Sequence, residues 1–183
     1  MVVGGSKLIF SSSVEALIKV AQGKVKPDTQ RALSALRIGP PHKLEPAYAA
    51  ADWAKAVRLI GADLFPGVDG DQQQYEVGRA TVMEFTDGLV GRAMLSAAKL
   101  FGARRSLQRM SNSLRSGANF LQSRLTVIDE KTMELWLNDA SGVPHFYAGL
   151  LSAGDPVIPG WPDRITVKSQ DGDACVLELK NSH

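Results

Sequence analysis

The stretch RLTVIDEKTMELWL, residues 124–137, decides the fold class of this chain. Apolar and polar residues alternate in its two halves, residues 124–129 and 132–137, and a period of two indicates β-strands. The polar residues 129–131 separate the halves, as the turn of a β-hairpin does. Before residue 122 the apolar residues recur with a helical period instead, so this hairpin marks the point where helices give way to a sheet.

Downstream of this hairpin, the sequence predicts one short helix and a second hairpin. Val143-Pro144 is typical of a helix start, because proline is favoured at the first helical position. Residues 164–168 alternate between polar and apolar, and residues 174–179 are mostly apolar. The two runs flank Asp171-Gly172-Asp173, a pattern that predicts two strands joined by a tight turn. The predicted order is therefore strand-strand-helix-strand-strand.

Upstream, the sequence predicts a series of helices. The first begins in the run Ser11-Ser12-Ser13, the second begins at Pro27, and the third begins near Pro46 with Tyr48 and Trp53 on its inward face. Helical periodicity continues over three further segments, about residues 71–86, 89–101 and 103–118. We expect an α+β fold in one domain spanning residues 1–183, with an N-terminal helical bundle (about 10–120) packed on a small four-stranded antiparallel sheet (about 122–181).

Positive charge is concentrated between Arg79 and Arg124. This segment holds seven arginines and one lysine against two acids, a net charge of about +6 in a chain whose formal net charge is only +2. On the predicted helix 103–118, the apolar positions fall in one sector and four arginines fall on the opposite side. These arginines are predicted to form one exposed face: Arg104, Arg105, Arg109 and Arg115.

The basic face has several interpretations that the sequence leaves open. It is either a solvated surface or a binding site for an anion, since guanidinium pairs with phosphate and carboxylate in a bidentate fork. Arg105 and Arg109 lie one helical turn apart, as in some cyclic-dinucleotide receptors. An acidic or phosphorylated protein is the other candidate partner. We expect no nucleic-acid binding, because no recognition motif accompanies the charge.

No enzyme motif is present in the sequence. Neither GxGxxG after a strand nor GxxxxGK[ST] occurs, three scattered histidines support no Ser-His-Asp set, and clustered metal ligands are lacking. The single cysteine, Cys175, excludes an intrachain disulfide and is predicted to be a buried strand residue. No apolar run approaches the ~20 residues that span a bilayer. We expect a cytoplasmic protein without catalytic or metal-binding residues.

A set of short motifs resembles an uncharacterised family described as restricted to Myxococcales. The motifs lie in the same order and at the same spacing over most of residues 8–180: Leu64-Phe65-Pro66-Gly67, Gly78-Arg79, Thr86-x-Gly88-x-x-Gly91-Arg92, Phe101-Gly102-Ala103-Arg104-Arg105, Arg115-x-Gly117-Ala118-Asn119 and Phe146-Tyr147-Ala148-Gly149. That family is distantly similar to heme-nitric-oxide-binding and vinyl-reductase-like domains. The resemblance implies helices followed by a sheet, a small molecule held between them, and a regulatory or ligand-sensing role.

The heme of those relatives is not expected in this chain. Heme iron needs an axial ligand, usually histidine, and His42, His145 and His183 all lie outside the helices over residues 71–122, where the heme-binding relatives carry theirs. The place of the relatives' Tyr-x-Ser-x-Arg motif is taken by residues 136–140, which lack all three residue types.

The sequence thus predicts a heme-free, non-catalytic domain that senses a small molecule. The alternatives are a module that docks acidic or phosphorylated partners through the basic helix, a cyclic-dinucleotide receptor and, as a third class, an enzyme of unrecognised type. An enclosed apolar cavity would favour the sensing role, and a filled core would favour the docking module. The candidate pocket residues are Met94, Phe101, Phe120, Trp136 and Tyr147. The sequence predicts neither the identity of the small molecule nor the oligomeric state.

Overall fold

The computed structural model describes residues 5–86, 96, 98–154 and 158–182. Its helices are α1 Ser11–Ala21, α2 Pro27–Ala35, α3 Ala50–Leu64, α4 Gly70–Thr86, α5 Ala103–Leu114 and α6 Pro144–Ser152. Residues 98–101 are also helical, and a 3-10 turn, Arg115–Gly117, follows α5. The strands are β1 Leu8–Phe10, β2 Ala47–Ala49, β3 Ser123–Val127, β4 Thr132–Leu137, β5 Arg164–Asp171 and β6 Ala174–Lys180.

The four-stranded sheet confirms the fold class expected from the sequence. Its strand order is β3-β4-β6-β5, and every neighbouring pair is antiparallel. In the first hairpin, Leu125 lies opposite Leu135 and Arg124 lies opposite Trp136. Because side chains alternate between the two faces of a strand, the buried Leu135 and Leu137 share one face, and Trp136 projects from the other. Helix α6 packs against this sheet, so the fold is α+β.

A second, two-stranded sheet was not expected. β1 pairs antiparallel with β2, with Ile9 opposite Tyr48. The prediction that the third helix begins near Pro46 is therefore wrong: residues 47–49 are extended, and α3 begins at Ala50. The physical reason is tertiary pairing with β1, which supplies the backbone hydrogen bonds that a helix would otherwise make. The side chain of Tyr48 is still buried, as the sequence indicated.

Helices α4 and α6 cross at two glycines. A Cβ on Gly78 would lie 2.0 Å from the carbonyl oxygen of Phe146, and a Cβ on Gly149 would lie 1.9 Å from that of Tyr75. Both glycines belong to motifs that the sequence analysis singled out. Their missing side chains let the two backbones touch, which fixes α6 beneath α4.

The remaining predicted elements agree with the structure at their cores. α1 begins at Ser11 and α2 begins at Pro27, as the sequence predicted. Cys175 is buried in β6, and burial raises the pKa of its thiol to about 11. The predicted helix over residues 89–101 and the motif around Gly88 and Gly91 lie largely outside the described residues. None of the helices in the described part of the chain has the length and apolarity that crossing a membrane requires.

Candidate functional site: an apolar cavity with an arginine at its mouth

A cavity of about 520 Å³ lies among the helices. Its walls come from α1, α3, α4, α5 and α6, together with residues 98–101 and the segment after α6 that carries Trp161. Its volume is in the range of small-molecule sites, which are mostly apolar clefts of about 300–1,000 Å³. The cavity is thus large enough for an organic ligand.

Three aromatic rings form the buried floor of the cavity. Trp53 of α3 meets Phe146 of α6 edge to face, with ring centroids 5.0 Å apart, and Phe146 meets Tyr147 in the same way at 5.8 Å. All three side chains are buried, and all three line the cavity. Edge-to-face pairs of this kind fix ring orientation, so the floor is a preformed aromatic surface.

Two polar atoms on the floor have unusual surroundings. The indole Nε1 of Trp53 is buried and has no hydrogen-bond partner among the described residues. The Trp161 indole, by contrast, donates to the carbonyl oxygen of Leu151 at 2.7 Å. Burial, with a smaller contribution from the negative charge of Asp139, raises the pKa of the Tyr147 phenol, which therefore stays neutral. The Trp53 indole is thus a buried donor that has no acceptor in the described part of the chain.

The mouth of the cavity is polar. The exposed lining residues that mark it are Ser12, Phe101, Arg109, Ser113 and Ser116. The guanidinium carbon of Arg109 lies 3.9 Å from the centroid of the Phe101 ring, a cation–π contact. This contact holds the Arg109 side chain at the edge of the cavity, four residues after Arg105 on the same helix.

The four arginines that the sequence singled out are all exposed. Ala103 and Leu107 are buried on the opposite side of α5, so the structure agrees with the helical periodicity. Across the described ranges, no carboxylate forms an ion pair with any of the four: Arg104, Arg105, Arg109 and Arg115. Arg109 differs from the other three because it alone of them lines the cavity.

The predicted pocket residues are only partly brought together. Phe101 and Tyr147 line the cavity, at its mouth and floor respectively. Phe120 is half-buried beside the core and Trp136 lies on the far face of the sheet, 5.2 Å from the Arg124 guanidinium, so neither belongs to the cavity wall. Met94 lies outside the described residues.

Trp53 and Phe146 are wall residues that the sequence reasoning did not assign to the pocket. The inward position of Trp53 is predicted from a helical stripe and Phe146 belongs to a motif, but neither signal distinguishes a cavity wall from a filled core.

The lining residues do not fit a histidine-ligated heme. The chain has no histidine between His42 and His145, and neither of these two lines the cavity. His145 instead lies 3.3 Å from the Asp71 carboxylate. The raised pKa of Tyr147 disfavours the phenolate that iron would need. Among the described wall residues, Met110 is then the remaining conventional type of iron ligand. Within the described residues, no three His, Cys, Asp or Glu side chains cluster as a metal site.

Comparison with solved structures shows the same fold in H-NOX proteins. An oxygen-binding H-NOX domain related to soluble guanylate cyclases is 11% identical, with a TM-score of 0.62 and coverage of 94% of this chain and 92% of that one. The Fe(II) unliganded H-NOX protein from K. algicida is also 11% identical, with a TM-score of 0.61 and coverage of 96% and 98%. A Cs H-NOX variant containing 4-cyano-L-phenylalanine is 12% identical, with a TM-score of 0.62 and coverage of 96% and 97%.

Comparison by sequence gives a family without an assigned function. No curated protein matches the chain. One family model matches residues 7–180, which is nearly the whole sequence. The match spans both the helices and the sheet, and it includes every motif that the sequence analysis singled out. The chain therefore belongs to the family described as Protein of unknown function (DUF2378), and it has the H-NOX fold.

Proposed function

We propose that this protein is a non-catalytic sensing domain that binds a small, mainly apolar molecule without a histidine-ligated heme. The observation that carries this proposal is the cavity of about 520 Å³ with its buried aromatic floor. A core that served only for stability would be filled, because protein interiors are close-packed and voids cost free energy.

The fold supports the sensing role. The solved H-NOX neighbours include a domain that binds oxygen and is related to soluble guanylate cyclases. We extend ligand binding from that domain to this chain, but we do not extend its heme, because the described lining residues lack a histidine.

The chemistry of the cavity supports binding rather than catalysis. Several of its hydroxyl groups donate to backbone carbonyls: Ser106 donates to Ala98, Ser113 donates to Arg109, and Thr81 donates to Val77. A serine nucleophile needs an adjacent general base, and none of the described lining side chains provides a histidine or a carboxylate.

The basic face of α5 supports a second candidate function. Docking of an acidic or phosphorylated protein, or of a cyclic dinucleotide, would use Arg104, Arg105 and Arg115, which are exposed and form no ion pair with a described carboxylate. Arg105 does not line the cavity. Substitution of Arg105 therefore separates a function of the face from a function of the cavity.

A titration with N-phenyl-1-naphthylamine tests the proposed function. This neutral aromatic amine gains fluorescence in apolar sites, and it carries an N–H but no charge. We expect saturable binding of one molecule in this cavity. A second pocket of about 420 Å³, lined by Ile18, Leu33, Ile38 and Ile60 among others, shares no lining residue with it, so loss of binding when the first cavity is filled assigns the probe to that cavity. Fluorescence that rises without saturation, or that does not rise at all, would contradict a preformed ligand site.

A hemin titration tests the heme-free part of the proposal. We expect no absorption spectrum of histidine-ligated iron, and no change in the spectrum when His42 and His145 are both replaced by glutamine. A histidine-ligated spectrum that these substitutions abolish would overturn this part while leaving ligand binding in place.

A further inference from the structure

Arg109 occupies a distinctive position on the cavity wall. Of the charged side chains in the described part of the chain, only that of Arg109 lines the cavity. It stacks on Phe101 at 3.9 Å, and no carboxylate among the described residues neutralises it. The described wall of the cavity therefore combines an apolar interior with one positive charge at the mouth.

The charge of Arg109 is available to a ligand. A cation–π contact orients a guanidinium, but it leaves the positive charge unpaired. Guanidinium presents its N–H donors in a planar fork that matches an oxyanion in a bidentate manner. Of the serines on the same rim, Ser113 and Ser116 donate their hydroxyl protons to backbone carbonyls, so the guanidinium and not these hydroxyls is the donor on which the inference rests.

The charge balance indicates the kind of anion. One arginine balances one negative charge, whereas a phosphate monoester carries about −1.5 to −2 at neutral pH. Further negative charge at the mouth would lack a partner on the described wall. A carboxylate, with one charge and two coplanar oxygens, matches a single guanidinium better.

We infer that the ligand of this cavity is an amphipathic carboxylate. Its apolar body occupies the space over Trp53, Phe146 and Tyr147, and its carboxylate pairs with Arg109 at the mouth. This inference rests on the proposed function, since it assigns a ligand class to the same cavity. It also gives Phe101 a role, which is to hold the guanidinium at the point where the head group leaves the apolar interior.

The test is displacement of bound N-phenyl-1-naphthylamine by two competitors that differ only in charge. Decanoate and decanamide have the same chain, but only decanoate is an anion at pH 7. The quantity measured is the ratio of the two displacing concentrations within one variant, so a change in probe affinity cancels. We expect decanoate to displace the probe at about a tenfold lower concentration, a factor that corresponds to about 1.4 kcal/mol.

Two arginine variants complete the test. Arg109→Gln should abolish most of the preference for decanoate, and the matched control Arg105→Gln, one turn earlier on α5 and outside the cavity, should retain it. Both side chains are exposed, so thermal unfolding of Arg105→Gln should match the unsubstituted protein, and Arg109→Gln should lose only the small contribution of its contact with Phe101.

Three outcomes would overturn the inference: equal displacement by the two competitors, a preference that survives Arg109→Gln, or an equal loss in both variants. The last would assign the preference to the whole basic face. If the probe itself does not bind, the proposed function fails. If the probe binds without a charge preference, only this inference fails.

Discussion

Gly149 shows how one residue controls the geometry around the cavity. It lies where α6 meets α4, and the carbonyl oxygen of Tyr75 occupies the place that a Cβ would take. Two cavity-floor residues, Phe146 and Tyr147, precede it on the same helix. Any side chain at this position would push α6, and with it the floor, away from α4.

Gly149→Ala is expected to destabilise the protein by about 3 kcal/mol, at the upper end of the usual cost of overpacking. The cost is expected because the clash at 1.9 Å involves backbone, which cannot rotate away. The measurement is urea unfolding followed by circular dichroism. Gly70→Ala is the control, since a Cβ on Gly70 would meet nothing within 4 Å. Similar stability of the two variants would show that α4 and α6 are not held in this contact.

Some residue-level features could be predicted from the sequence, and others could not. The exposed side of α5 could be predicted from local periodicity, because the spacing of apolar residues along an amphipathic helix shows which side is buried. Gly78 and Gly149 were recognised as parts of motifs, but their physical role depends on two helices separated by more than 50 residues. The sequence places Trp136 among the candidate pocket residues, but this is not where it lies. Strand alternation puts its side chain on the other face of the sheet from the buried Leu135 and Leu137.

Among the secondary-structure elements, β1 is held in place by hydrogen bonds with Asn119, which follows the 3-10 turn. Its Oδ1 accepts a hydrogen bond from the backbone N–H of Leu8 at 2.9 Å, and its Nδ2 donates to the carbonyl oxygen of Ser6 at 3.0 Å. Its own backbone N–H donates to the carbonyl oxygen of Leu8 at 3.1 Å. The side-chain amide thus acts as an additional strand partner, which holds β1 and the cavity residue Ile9 in place.

Asn119→Ala is expected to lower the free energy of unfolding by about 1 kcal/mol, since it removes two partly exposed hydrogen bonds. Amide hydrogen exchange provides a sharper measurement, because the N–H of Leu8 should lose protection. The matched control is Asn112→Ala on the exposed side of α5. If Leu8 exchanges equally slowly in both variants, Asn119 does not hold β1.

The two hairpins and the two-stranded sheet differ in how far the sequence determines them. The hairpins are local: each joins neighbouring strands through a short polar turn, so alternation and turn residues were sufficient. β1 and β2 have three residues each and pair across a long stretch of chain. Three residues are too few to show the alternation of a strand, and the two strands are far apart in the sequence. The pattern around residues 47–49 therefore predicted the start of a helix instead of a strand.

At the scale of the whole molecule, the order of helices and strands predicted the fold, but it did not predict the cavity. The cavity is a volume that several elements leave unfilled, and no single element carries a signal for it. Arg109 illustrates the difference. Its exposure on α5 was predicted from one helix, whereas its place at the cavity mouth depends on Phe101, α1 and the 3-10 turn.

Probe binding to a protein whose cavity has been filled is the direct test of whether the cavity is the ligand site. Ala16 of α1 lines the cavity and is half-buried, so the ring of Ala16→Phe would occupy ligand space. Ala62→Phe makes the same change on the exposed side of α3. We predict that Ala16→Phe weakens N-phenyl-1-naphthylamine binding at least about tenfold, or about 1.4 kcal/mol, while Ala62→Phe binds as the unsubstituted protein does. Undiminished binding by a folded Ala16→Phe variant would contradict the assignment of the cavity as the ligand site.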